Sequence, residues 1–153
     1  MSATPAWSRA ALVLALVLVA DQATKALVRH SIDAGDSERV MLGARIVHVT
    51  NDGVAFGALA GSGLVLVVVL AALAGLIAWF ARNASRPLVW LPTGLLLGGA
   101  LGNVLDRVRA GAVTDFVKLP AWPAFNLADT AITFGVLTLL LVLERSDGTD
   151  DAV

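Results

Sequence analysis

The 153-residue chain has no cysteine, which excludes disulfides, thiol catalysis, Fe–S clusters and Cys-ligated zinc. It has only 2 histidines, His30 and His48, and no HExxH spacing, so zinc hydrolysis lacks its ligands. Lysine is equally scarce. A Ser–Lys protease would need Lys25 or Lys118, and nothing near Ser62 singles it out as a nucleophile. Charged residues make up 15% of the chain, against roughly 25% in a soluble domain. The 11 basic and 12 acidic residues leave a net charge of −1, with no basic tract to hold nucleic acid. What is abundant is apolar: 58% of residues are hydrophobic. That excess argues against a soluble globular protein and excludes a disordered chain.

Four apolar stretches carry the excess. Residues 64–81 contain no charge, and neither do 88–102 or 131–143. The first stretch, 10–20, is followed by Asp21 and Lys25 before Ala26-Leu27-Val28. A helical crossing needs roughly 20 residues, and backbone groups in lipid must pair within their own segment. The expectation is therefore one integral-membrane domain, 1–145, with four transmembrane helices near 10–29, 62–81, 88–106 and 128–143. A polar, disordered tail over 146–153 would follow. The first stretch also has the look of a secretory signal, with Arg9 before its apolar core. Its cleavage site is weak, because Asp21-Gln22 follows Ala20 directly.

Four crossings put both termini on one side and segments 30–61 and 106–127 on the other. Trp7, Trp79 and Trp90 then mark one interface and Trp122 the opposite one. Counting Arg and Lys in the loops does not favour termini inside, and only the compact Arg82–Arg86 link leans that way. Residues 40–50 are rich in β-branched side chains and predict one or two short strands. Glycines 53, 57, 61 and 63 loosen the chain before the second helix.

Each polar residue within such helices needs a reason. Asp21 and Lys25 are spaced i, i+4 with the acid first, which suits an ion pair holding helix 1 in the bundle. Gly94, Gly98 and Gly102 form a stripe that lets another helix approach closely. Asn103 and Arg107 end the same helix. Arg107 either snorkels to the interface or grips a carboxylate. Asp115 lies in the 106–127 segment, and Asp129 opens the last helix with Asn126 one turn before it. The gap between the aspartates is short enough for the segment to fold back and pair them. Two facing carboxylates cannot both ionise easily, which leaves one acid and one base around a shared water. That machinery hydrolyses an amide without metal or covalent intermediate. The bland alternatives are a dipole-facing carboxylate for Asp129 and a surface loop charge for Asp115. Another class also fits these residues: an intramembrane proton- or ion-relay subunit using Asp21, Lys25, Arg107, Asp115 and Asp129.

In combination the motifs become specific. DQATK at 21–25, NDGVAFG at 51–57, GGALGNVLDR at 98–107, GAVTDF at 111–116 and FNLADTAI at 125–132 occur in order. On these blocks the chain resembles lipoprotein signal peptidase, the bacterial signal peptidase II family of aspartic membrane proteases. A small departure is Trp122-Pro123-Ala124 before Phe125, where many relatives carry Phe-Pro. The resemblance implies that Asp115 and Asp129 are the catalytic pair. It makes Asn51, Gly53, Asn103, Arg107 and Asn126 neighbours that hold the pair or the substrate backbone, supported by Asp21 and Lys25. It implies cleavage of diacylglyceryl-modified prolipoproteins by a monomer among membrane lipids, with no cofactor or metal, and block by globomycin-type inhibitors. It also implies a bacterial inner-membrane location, both termini cytoplasmic, and a small β-cradle and active site near the outer face.

Overall fold

The computed structural model describes residues 3–40, 43–51 and 63–150. The chain forms α1 (Ala3–Ser31), β1 (Ser37–Arg39), β2 (Arg45–Asn51), α2 (Leu64–Asn83), α3 (Trp90–Ala110), β3 (Val113–Lys118) and α4 (Leu127–Asp150). α3 is the central helix, packed on α1, α2 and α4.

The glycine stripe explains that packing. A Cβ on Gly94 would lie 2.7 Å from the Ala10 carbonyl oxygen, and one on Gly98 would lie 2.8 Å from Val17 Cβ. At Gly102 it would meet the Asp21 carboxylate at 2.6 Å. Only hydrogen at these positions lets α1 come so close. On another side of α3, a Cβ on Gly99 would lie 2.5 Å from the Ala128 carbonyl oxygen, so α4 is held as tightly.

Outward faces are apolar. Leu12, Leu16 and Val19 on α1, Val67 and Val68 on α2, and Phe134, Leu137 and Leu141 on α4 are all exposed. The buried set, by contrast, includes Asp21, Lys25, Asn103, Asp106, Asp115 and Asn126. Polar inside and apolar outside is the pattern that a hydrocarbon surround selects.

Among the described residues three helical segments are long and apolar enough to cross a membrane: Pro5–Ser31, Leu64–Asn83 and Leu127–Arg145. The expected fourth crossing, α3, is a full helix but not one of these. Its apolar length is diluted by the glycines and by buried Thr93, Asn103 and Asp106. Helix bounds also differ from expectation. α1 begins at Ala3, with Pro5 tolerated in its first turn. α4 continues to Asp150, into the segment read as a disordered tail, because a formed helix adds one hydrogen bond for each further residue it fixes.

At the end bearing the chain termini, Phe80 is fully buried with Ala6, Ala10, Ala84, Val89 and Val142, and Trp79 and Trp90 pack against this cluster. Trp7 meets Phe80 edge-on, with ring centroids 4.6 Å apart. Trp122, as its position between β3 and α4 implies, lies at the other end of the helices and is exposed.

That other end carries an antiparallel sheet in the order β1-β2-β3. β2 comes from the β-branched stretch at 40–50, while β1 lies just before it and carries no β-branched residue. Their ladder pairs Ser37 with Val47 and Arg39 with Arg45. β3 went unread in the sequence because its first four residues are buried in succession, without the alternation of a half-exposed strand. Gly111, in the left-handed region at φ 75°, ends α3 and turns the chain into β3, its N–H donating to the Arg107 carbonyl. A bridge between Val117 and Phe125 then folds the chain back to the start of α4.

Candidate active site

The fold-back places Asp115 of β3 beside the N-terminus of α4. Asn126 is the residue that links them. Its Nδ2 donates to Asp115 Oδ1 at 2.8 Å, and its Oδ1 accepts from the Asp129 N–H at 2.9 Å. Asp129 Oδ2 accepts in return from the Asn126 N–H at 3.2 Å. This reciprocal pair is a capping box: two orphan N–H groups of the helix start are satisfied by side chains three residues apart. Asp129 therefore does face its helix dipole, as the bland reading held, and it also lies in the same polar cluster as Asp115.

The cluster extends to three more elements. From β2, Asn51 Nδ2 donates to Asp115 Oδ2 at 3.0 Å. From α3, Asn103 Nδ2 donates to Asp129 Oδ1 at 2.8 Å, and Asn103 Oδ1 accepts from Asn126 at 3.1 Å. From α1, Lys25 Nζ donates to that same Asn103 oxygen at 2.9 Å. Lys25 also pairs with Asp21 at 2.8 Å, and both are fully buried. Asp21 Oδ1 accepts from the Ala128 N–H at 2.9 Å, so a carboxylate of α1 caps α4.

Seven residues singled out in the sequence thus converge: Asp21, Lys25, Asn51, Asn103, Asp115, Asn126 and Asp129. α1 starts earlier than expected, so Asp21 falls in its second half, against the first turn of α4. Arg107 Nη1 donates to the Asn103 carbonyl at 3.3 Å, and among the described residues it bonds neither aspartate. Its Nε is buried and has no partner among those residues. Gly53 and nearly all of the 51–57 block lie outside the described residues.

Two residues were missed. Asp106 is 4% exposed and pairs with Lys25 at 2.9 Å. Gln22 Nε2 donates to Asp106 Oδ1 at 3.1 Å and to Asp21 Oδ2 at 3.2 Å. A signal existed: Asp106 follows Gly102 and Asn103 by four and three positions, hence on one face of α3.

Burial raises the Asp115 carboxyl above its ordinary value, and the Asp129 charge raises it further. The bonds from Asn51 and Asn126 and the charge of Lys25 oppose this without cancelling it. A cleft of about 270 Å³ lined by Trp122, Phe125, Asp129, Thr130, Thr133 and Phe134 opens beside Asp129. Among the described residues no three His, Asp or Glu side chains converge as metal ligands.

These features define a helical membrane-type protein with an acid-rich polar cluster at one end of its helices. The family model for signal peptidase (SPase) II matches residues 13–144. A lipoprotein signal peptidase of Moorella thermoacetica is 45% identical over 132 residues, covering 84% of this chain and 87% of that protein. One from Methylobacterium sp. (strain 4-46) is 43% identical, covering 90% of each. A solved bacterial membrane enzyme superposes with a TM-score of 0.83 at 31% identity, covering 92% of this chain and 90% of its own. The chain belongs to the signal peptidase II family, and it is a peptidase. Membership in a peptidase family displaces the relay reading.

Proposed function

We propose that the chain is an aspartic endopeptidase that removes the signal peptide from diacylglyceryl-modified prolipoproteins, with Asp115 and Asp129 activating a water between them. The carrying observation is Asn126, whose Nδ2 donates to the Asp115 carboxyl and whose backbone N–H donates to the Asp129 carboxylate. One residue therefore ties the two acids to each other.

Roles follow from the environment. Asp115, buried and raised, holds the proton and acts as the acid toward the leaving amine. Asp129, half-exposed at the cleft, takes a proton from water as the base. Asn51 and Asn103 hold the outer carboxylate oxygens in place. Trp122, Phe125 and Phe134 make an apolar approach to Asp129 suited to an acylated, membrane-borne substrate. α3 is a fourth span in this reading. The termini lie in the cytoplasm, and the sheet and cluster lie near the outer face of a bacterial inner membrane.

The test is direct. Purified protein in detergent or bilayers is incubated with a diacylglyceryl-modified prolipoprotein and with the same precursor lacking the lipid. A shortened product from the first alone supports the reading. No cleavage of either, with the protein folded, overturns it.

A further inference from the structure

A buried acid to which this mechanism gives no role is Asp106. It lines a second cavity of about 270 Å³, shared with Gln22, Arg29, His48 and Thr114, and not the cleft at Asp129. It is therefore placed to act through other groups and not on substrate. Its Oδ2 accepts from Lys25 Nζ at 2.9 Å and from the Thr114 N–H at 3.3 Å. Thr114 immediately precedes Asp115. Lys25 in turn holds Asn103, which holds Asp129. One carboxylate of α3 thus ties the strand carrying the first acid to the lysine that supports the second.

We propose that Asp106 is a positioning residue for peptide cleavage, fixing β3 against α1 and α3 so that Asp115 faces the start of α4. The proposal rests on the assignment of Asp115 and Asp129 as the acting pair. Asp106 makes four polar contacts to two other elements: Lys25, Gln22 Nε2 and, at 4.0 Å, Arg29 on α1, and the Thr114 N–H on β3, with Lys25 and Gln22 both also bonded to Asp21. Removing it frees the backbone ahead of Asp115 and releases Lys25 from one of its acids. Small misplacement of a reacting group costs on the order of 100-fold in rate.

The experiment compares Asp106→Ala, Asp106→Asn and Asp115→Asn in full-length protein, each checked by thermal melt. Asn retains an acceptor for the Thr114 N–H and Ala does not. Asp106→Ala is expected to lose roughly 10- to 100-fold in kcat with KM within about twofold. Asp106→Asn is expected to lose less. Its pH–rate profile should also move. The charges acting on Asp115 are Asp129 of α4 and Lys25 of α1. Asp106 pairs with Lys25, so loss of its charge leaves the lysine less neutralised, favours ionised Asp115 and shifts the alkaline limb to lower pH. A purely structural role lowers yield and leaves that limb in place.

If Asp106→Ala folds and turns over within about twofold of the parent, the proposal is overturned. If Ala does not fold, Asp106→Asn decides: a pH profile superimposed on the parent's overturns it equally. Full activity in Asp115→Asn would instead remove the assignment of the pair, whatever Asp106 does.

Discussion

Lys25 serves two carboxylates at once: its Nζ lies 2.8 Å from Asp21 and 2.9 Å from Asp106, on different helices. From sequence it looked like the partner of Asp21 alone. A double substitution removing both Asp21 and Lys25 would then have relieved the stranded charge. The structure changes that outcome.

Asp21→Ala should lower the melting temperature, since breaking one side of a buried pair costs about 3–5 kcal/mol. It also uncaps the Ala128 N–H. Asp21→Ala combined with Lys25→Met should recover little, because Asp106 is then left buried without its lysine. Melts in detergent of both variants check this. Substantial recovery in the double variant would mean that Asp106 finds a substitute partner.

Asp115→Asn and Asp129→Asn should each abolish cleavage with the fold retained. Members of one catalytic unit are not additive, so the double variant should be no worse than either single. Product formation against time, beside a melt, is the measurement.

The raised Asp115 carboxyl gives two pH trends with a common sign. Cleavage should decline as pH rises through that raised value, because the acid loses its proton. Stability should decline over the same range. The native state holds the Asp115 proton to higher pH than the unfolded chain, so the penalty is absent below the ordinary value of 3.8 and complete above the raised one. Asp115→Asn should flatten the stability trend. A pH series of melts on the parent and this variant would show it, and identical slopes would contradict it.

Asn126→Ala removes a helix cap, which costs about 1 kcal/mol, and takes away one of the two amides that hold Asp115. The activity loss should be far larger than that modest destabilisation suggests, at least 100-fold in kcat. Asn126→Asp keeps the cap oxygen but faces Asp115 with a like charge. It should stay folded at acid pH and fail as pH rises. Melts and single-turnover rates separate the two effects.

Much of this chain was legible one-dimensionally because membrane helices report themselves through composition. An apolar run must be a helix when water is absent, and any polar residue within it must have a partner. Hence Asp21, Lys25 and Asn103 stood out, and so did the Gly94–Gly98–Gly102 stripe, while Asp115, Asn126 and Asp129 stood out by their short spacing and their motif blocks. β3 did not, since a strand buried on both faces carries no alternation. The role of Arg107 could not be read either, because a long side chain at a helix end reaches several places.

The sequence by itself determined the helical, membrane-type character, the family and most of the polar residues that cluster, because burial cost and residue type are local properties. Only the tertiary structure decided which of those residues meet. That Asp21 caps α4, that Lys25 is shared with Asp106, and that Asn126 spans both aspartates depend on the glycine-lined approach of α1 and α4 to α3. Those contacts join positions far apart in the chain, and spacing along one helix carries no information about its neighbours.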